Sequence, residues 1–132
     1  MASRREARRQ AIEVLYQADV TGADARAVLE DWAAVGRGVD PFARRLVEGV
    51  CAHADEIDAL LADRSEHWLL DRMASVDRVV LRVAAYELLH AKDVPAAVAI
   101  DEAVRAAKEL STEESGAFVN GILGRIAAEL AS

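Results

Sequence analysis

The chain has 132 residues, the length of one domain, and is long enough to bury a sizeable core. Its single Cys excludes an intramolecular disulfide and a Cys-rich metal site, and the absence of a secretion signal or an 18-residue apolar run predicts a cytoplasmic protein that does not cross a membrane. The net charge of −7 is uneven, because residues 1–9 carry four Arg against one Glu, a local charge of +3 that leaves −10 for the rest.

Apolar residues recur at three- and four-residue steps along most of the chain, which predicts an all-α fold of about seven helices. The first helix is predicted at residues 4–19, where Ser3 and Glu6 form a capping box. The other predicted helices cover residues 24–35, Asp40-Pro41 to about 63, 66–72, 76–91 after a cap at Ser75, 96–110, and the stretch after a second capping box of Ser111 and Glu114. We interpret the chain as one domain, residues 1–132, with helical subdomains at 1–64 and 65–132.

The helix after Ser75 is apolar on nearly every side, which predicts that it is the buried centre of the second subdomain. Its charged positions reduce to four residues, Asp77, Arg78, Arg82 and Glu87.

The last helix keeps glycines that each cost about 1 kcal/mol relative to Ala. Ala117, Gly121, Gly124 and Ala128 follow one another at steps of four, three and four, a ridge of small side chains. This spacing predicts a helix-packing surface, where a neighbouring helix approaches closely and gains contact in exchange for propensity.

The sequence offers little for catalysis or for a cofactor. It contains no Gly-rich phosphate loop, no GxSxG nucleophile turn, no HExxH and no CxxC. Cys51 and His53 are two residues apart and point to different sides of a helix, and His67 belongs to another element. We therefore expect neither an enzyme nor a metal or cofactor site.

The basic N-terminus is the more informative feature. Arg4, Arg5, Arg8 and Arg9 gather along one side of the first helix, where free backbone N–H groups also favour anions, so RNA phosphate is the natural ligand. A solvated helix end is an equally weighted alternative. Tyr16 lies two turns further on, and we slightly favour a core position for it over a position on that surface. For Phe118 we give core packing at least as much weight as base stacking.

Three segments together carry a specific resemblance that covers nearly the whole chain. They are RREARRQAIEVLYQADV at the start, VDRVVLRVAAYELLHAKDVPAAVAIDEAVRAAKEL in the middle, and FVNGIL at residues 118–123. With these segments the chain resembles the NusB family of bacterial transcription antitermination proteins. The resemblance implies an all-helical fold of two subdomains. It also implies pairing with NusE, a ribosomal protein of the small subunit, binding of single-stranded boxA RNA in ribosomal RNA transcripts, and assembly with other Nus factors on RNA polymerase.

The resemblance also implies roles for individual residues. The RNA contacts carry over to the four arginines, with Arg9 less secure, and to Tyr16, Glu114 and Phe118. The NusE surface carries over to Asp71 and Asp77, whose charge suits a basic ribosomal protein.

Two departures from the family pattern and three alternatives accompany this interpretation. The residue before Phe118 is Ala117, where some relatives have a basic residue, and the longer basic arm of some relatives is missing, so much of the RNA affinity is expected to come from the partner. A homodimer that covers the RNA face, as in some relatives, is one alternative. The others are a helical protein-binding scaffold and an RNA-binding fragment of a ribosomal RNA methyltransferase.

Overall fold

The computed structural model describes residues 3–65 and 70–132, and within these ranges the chain forms seven α-helices and no strand. The helices are α1 (Arg4–Thr21), α2 (Ala25–Ala34), α3 (Pro41–Ala52), α4 (Ala54–Arg64), α5 (Ser75–His90), α6 (Ala96–Leu110) and α7 (Glu113–Ala131), with a 3₁₀ turn at Leu70–Arg72 before α5. The predicted all-α class with about seven helices is confirmed. The predicted short helix at 66–72 falls mostly outside the described residues.

Side-chain caps fix the starts of several helices. Ser3 accepts a hydrogen bond from the Glu6 backbone N–H at 3.1 Å, as the first capping box predicts. Asp40 accepts from the Phe42 N–H at 2.9 Å, and Pro41 is the first residue of α3.

Two predicted caps are wrong by one residue. The N-cap of α7 is Thr112, which accepts from the Ser115 N–H at 3.0 Å, in place of Ser111. In α5 the N-cap is Ala74, and Ser75 is already helical. At α7 two adjacent polar residues, Ser111 and Thr112, are alternative caps that the sequence pattern does not separate, whereas at α5 the cap residue Ala74 makes no side-chain cap hydrogen bond.

The predicted long third helix is wrong, because it consists of two helices that meet at His53. His53 has φ −117° and ψ 22°, and it both ends α3 and begins α4. The apolar spacing continues through the junction, since Val50, Ile57 and Leu61 are all buried, so the pattern alone does not reveal the bend.

Helix α5 lies at the centre of the whole molecule rather than of one subdomain. It contacts α1, α3 and α4 from the first half of the chain and α6 and α7 from the second. Its buried residues include Leu81, Ala85 and Tyr86, which belong to a single apolar cluster that also takes in α1, α2, α3 and α7. Packing against so many neighbours explains why this helix is apolar nearly all round.

The predicted glycine packing surface on α7 is wrong. Ala117, Gly121 and Gly124 are exposed, and a Cβ added at either glycine would meet no described atom within 4 Å. The apolar face of α7 lies on the opposite side and carries Val119 and Leu123, both fully buried. Small side chains at helical spacing mark a face, and here that face is turned to solvent.

A close backbone approach does occur elsewhere. Gly49 in α3 is buried, and a Cβ there would overlap the ring of Tyr86 in α5. The absence of a side chain at Gly49 therefore lets α3 and α5 pack together. None of the helices in the described ranges is both long and apolar enough to cross a membrane.

Candidate nucleic-acid interface

Three of the four N-terminal arginines lie at the surface, in a row along the first two turns of α1. Arg4 and Arg5 are more than half exposed and Arg9 is partly exposed. Each faces a carboxylate from the α5–α6 loop or from α6. Arg4 pairs with Asp93 at 3.2 Å, Arg5 with Glu102 at 2.9 Å, and Arg9 with Glu109. We call Arg4, Arg5 and Arg9 the arginine row.

The fourth arginine has a different place, which corrects its prediction as a phosphate contact. The Arg8 side chain is buried and donates through Nε and Nη2 to Glu87 of α5, with the shortest bond 2.7 Å. Glu87 is 2% exposed. A guanidinium enclosed in this way cannot reach a ligand without leaving the core. Helical spacing does not reveal this, because Arg8 projects between the exposed Arg4 and Arg5, and the position of Glu87 on α5 decides where its side chain lies.

The carboxylates set the electrostatics of the row. The hydrogen bond that Arg5 donates to Glu102, together with the charge of that carboxylate, raises the pKa of Arg5, and the same hydrogen bond lowers the pKa of Glu102. The pKa of Asp93 is far below its ordinary value, mainly because Arg45 donates two hydrogen bonds to it, with a smaller contribution from Arg4. The arginines are thus charged but already occupied, and an incoming anion has to displace their partners.

A groove of about 570 Å³ runs between the start of α1 and the start of α6. Its lining combines two arginines of the row and an edge of Arg8 with apolar side chains, and includes Arg4, Arg5, Arg8, Val94, Pro95, Val98 and Glu102. A neighbouring depression adds Arg105 of α6 beside Arg9. Arg105 is exposed, and it adds a cation that the sequence analysis did not assign to this surface.

Tyr16 extends the same side of α1. It lies seven residues after Arg9, two helical turns, and its side chain is 42% exposed. The core interpretation of Tyr16 is therefore wrong, and the ring is available at the surface next to the arginine row.

A second predicted group meets at the start of α7. A depression of about 300 Å³ is lined by Arg72, Met73, Ala74, Asp77, Thr112, Glu114, Ser115 and Phe118. Phe118 is half-buried and packs against the core, whereas Glu114 is exposed. The structure thus brings together two residues predicted for RNA with Asp77, which was predicted for the protein partner.

The two predicted partner-binding aspartates differ in environment. Asp77 is half-buried, its Oδ2 accepts from the Ser115 hydroxyl at 3.2 Å, and its buried Oδ1 has no hydrogen-bond partner in the described part of the chain. Asp71 lies exposed on the 3₁₀ turn and does not line the depression. Only Asp71 is fully presented for contact.

One group of potential metal ligands lies outside these surfaces. Over residues 3–65 and 70–132, His53, Glu56 and His90 are the one set of three whose ligand atoms lie within 4.8 Å of one another. No metal site is expected from the sequence, which contains no HExxH or CxxC motif, and His90, which lies 37 residues after His53, is not among the ligands considered there.

Comparison with known proteins identifies the family. The model described as the NusB family matches residues 5–128. The transcription antitermination protein NusB of Saccharopolyspora erythraea is 51% identical over 132 residues, which covers 96% of this chain and 88% of that protein. The Streptomyces coelicolor NusB is 47% identical and covers 96% of this chain and 93% of its own length. The chain belongs to the NusB family.

Solved NusB structures have the same fold. The T. maritima NusB superimposes with a TM-score of 0.87 at 41% identity, covering 97% of this chain and 92% of that one. A crystal structure of the antitermination factors NusB and NusE in complex with dsRNA gives a TM-score of 0.82 at 28% identity, covering 96% of each chain. Membership confirms the resemblance seen in the sequence. Because NusB proteins are antitermination factors rather than enzymes, it also confirms that this chain is not an enzyme.

Proposed function

We propose that this NusB-family chain is an RNA-binding adaptor that pairs with NusE, binds boxA in ribosomal RNA transcripts and suppresses premature termination. It would act in the cytoplasm, with other Nus factors on RNA polymerase. Its relatives are named as transcription antitermination proteins, and a structural neighbour is a complex of NusB, NusE and dsRNA. The observation that carries the proposal to this chain is the arginine row, exposed beside Tyr16.

The row is suited to phosphate because a guanidinium donates two parallel hydrogen bonds to an anionic oxygen pair. Glu102 already receives Arg5 in this two-pronged way, with Nε–Oε2 at 3.1 Å and Nη2–Oε1 at 2.9 Å. A phosphate would take the same position on the guanidinium. Binding would then exchange a protein carboxylate for an RNA phosphate, which leaves the arginine paired throughout.

Base contacts are assigned to the remaining residues of the site. The exposed ring of Tyr16 offers a stacking face for an unpaired base. Glu114 offers a carboxylate that accepts hydrogen bonds from exocyclic amino groups, and Phe118 forms the apolar wall of the depression beside it. The phosphate contacts would position the RNA, and these three side chains would contribute preference for its sequence.

Arg8 takes a supporting role in this proposal. Its bonds to Glu87 fix the first turns of α1 against α5, and the three arginines of the row lie on those turns. Arg8 therefore holds the arginine row in place and does not itself touch the RNA.

The NusE surface is assigned to the 3₁₀ turn and the start of α5. Asp71 is exposed there and would meet the basic partner directly. Asp77, half-buried and bonded to Ser115, would shape this surface and the depression next to it more than it would contribute free charge.

The test is binding of a short boxA-like single-stranded RNA, with and without NusE, as a function of salt. The variant changes Arg4, Arg5 and Arg9 to Ala. The matched control changes Arg26, Arg37 and Arg44, three exposed arginines of α2, α3 and the loop between them, so the net charge changes equally. Three phosphate contacts contribute a slope of log K against log salt of at most about −2, or roughly twentyfold between 50 and 200 mM.

We expect the row variant to lose most of this slope and the control to retain it. If both variants bind alike, the arginine row is not the RNA site. The pairing of every row arginine with a carboxylate favours one second candidate, a protein-binding scaffold. If the scaffold interpretation is correct, the row variant would still bind NusE. The parent chain, the row variant and the control variant would then all bind boxA no better than other RNA. Sedimentation without RNA would reveal a homodimer that covers this face.

A further inference from the structure

We propose that His53, Glu56 and His90 form a binding site for a zinc-class divalent ion. The site is distinct from the arginine row and independent of the proposed RNA function. His53 lies at the junction of α3 and α4, Glu56 in the first turn of α4, and His90 at the end of α5. The bend at His53 and the packing of α4 on α5 bring them together.

The ligand atoms already converge. His90 Nε2 is 2.7 Å from Glu56 Oε1, and His53 Nδ1 is 3.5 Å from the same oxygen. All three atoms lie within 4.8 Å of one another. Ligands of a tetrahedral zinc ion, bound at about 2.0–2.2 Å, lie roughly 3.4 Å apart. Small rotations of partly exposed side chains would close the difference.

The imidazole rings of His53 and His90 are stacked on each other. Their ring centres are 3.8 Å apart and their planes differ by 18°, and the Tyr86 ring lies 6.2 Å from His53 and 5.9 Å from His90. Tyr86 is in turn packed on Gly49. Because each imidazole nitrogen binds a metal through a lone pair in the plane of its ring, one of the two rings would have to turn out of the stack to share an ion with the other.

Charge also favours a cation here. In the described part of the chain the ion-pair partners of Glu56 are the two histidines and no Lys or Arg. A divalent ion would bind one nitrogen of each imidazole and the Glu56 carboxylate, whose negative charge would offset part of the charge of the ion.

The donor set selects the class of ion. Two imidazole nitrogens with one carboxylate oxygen suit Zn²⁺, Co²⁺, Ni²⁺ or Cu²⁺, whereas Mg²⁺ and Ca²⁺ prefer oxygen ligands alone. The side chains of His53, Glu56 and His90 are 39%, 53% and 30% exposed, so water can complete the coordination. A bound ion would link the α3–α4 junction to the end of α5.

The test is calorimetric titration of the untagged full chain with ZnCl₂, together with its thermal unfolding midpoint. We expect one Zn²⁺ per chain and a midpoint that rises with zinc concentration, since an ion that binds only the folded state stabilises it. His53→Asn and His90→Asn should each lower the zinc affinity by more than about 100-fold. Removal of a residue that only orients a metal ligand already costs roughly 10- to 100-fold, and removal of the ligand itself should cost more. Glu56→Gln should weaken binding. Asp55→Asn, an exposed neighbour with the same charge change, should bind as the parent does.

Cobalt provides a structural readout. Co²⁺ at this site should give the absorption of a low-coordinate ion without a thiolate charge-transfer band, because Cys51 is not in the cluster. The proposal is overturned if the parent chain takes up no stoichiometric zinc, if both histidine variants bind as tightly as Asp55→Asn, or if cobalt binding yields a thiolate band that Cys51→Ser removes. Circular dichroism of each variant shows that a loss of binding is not a loss of fold.

Discussion

Arg8 and Glu87 form an ion pair that is almost completely removed from water. Such a pair is costly to bury, but removal of one partner leaves the other charge without compensation, which is worse. Burial raises the pKa of Glu87, against the opposing effect of the Arg8 hydrogen bonds. We expect Arg8→Ala to destabilise the protein by about 3–5 kcal/mol in urea denaturation.

A double replacement separates pairing from packing. Arg8→Met combined with Glu87→Met should recover most of the lost stability, since apolar side chains of similar volume replace a buried pair at little cost. Arg5→Ala, which removes an exposed pair with Glu102, should change stability by about 1 kcal/mol or less. A loss from Arg8→Ala as small as that from Arg5→Ala would contradict the structural role of Arg8.

Asp93 gives the protein an acid-dependent contact between the α5–α6 loop, α1 and α3. Its pKa is lowered mainly by Arg45, so its contribution is present above the ordinary aspartate pKa and is lost as pH falls toward the lowered value. The stability difference between the parent and Asp93→Asn should therefore be constant from pH 7 to about pH 5 and shrink below about pH 4. Thermal unfolding at a series of pH values checks this, and a difference unchanged at pH 3 would exclude the ion pairs as its source.

At the scale of elements, the packing of α3 on α5 depends on Gly49. Gly49→Ala would place a methyl group in the Tyr86 ring, and overpacking of this kind costs about 1–3 kcal/mol. Gly121→Ala is the matched control, because it fills open space on α7 and should stabilise by about 0.5–1 kcal/mol. Equal effects of the two substitutions on the urea midpoint would refute the close approach.

The sequence predicts helices well where apolar period and caps agree, as in α1 and the Asp40-Pro41 start of α3, and where a proline precedes the first residue, as in α6. It fails where two arrangements satisfy the same pattern. The face of small residues on α7 is as compatible with solvent as with a neighbouring helix, and only the position of α6 and α5 decides between them. The bend at His53 is set by packing on α5, a contact between residues far apart in the chain.

The candidate RNA-binding site is likewise predicted from the sequence only in part. Helical spacing places Arg5, Arg9 and Tyr16 on one side of α1, and local sequence is sufficient for that. It does not reveal that Arg8 turns to Glu87, 79 residues away, or that Glu102 and Glu109 face the row. Those partners depend on tertiary packing, as does the convergence of His53 with His90.

At the scale of the whole molecule, α5 joins the two predicted subdomains into one apolar cluster. We therefore expect residues 1–64 and 65–132 to unfold together, in a single two-state transition. In a Trp68→Phe variant the remaining tryptophan is Trp32, which is buried in the first half, so its fluorescence reports on that half, while far-UV circular dichroism reports on all helices. Coincident urea transitions support one cooperative unit, and an earlier fluorescence transition would show that the halves are independent.

The carboxylates of Asp93, Glu102 and Glu109 belong to the same chain as the arginines they pair with, so under the proposed function they would act as tethered competitors of RNA. A tethered competitor has an effective concentration near the millimolar range and is not diluted away. Its presence would lower the affinity for every RNA by the same factor. Unrelated transcripts would then remain unbound, whereas the preferred RNA, whose binding NusE assists, would still bind. The double variant Glu102→Gln with Glu109→Gln should therefore bind a boxA-like RNA and an unrelated RNA more tightly by the same factor. The control, Glu13→Gln with Glu48→Gln, removes carboxylates that pair with arginines outside the row and should not change the affinity for either RNA.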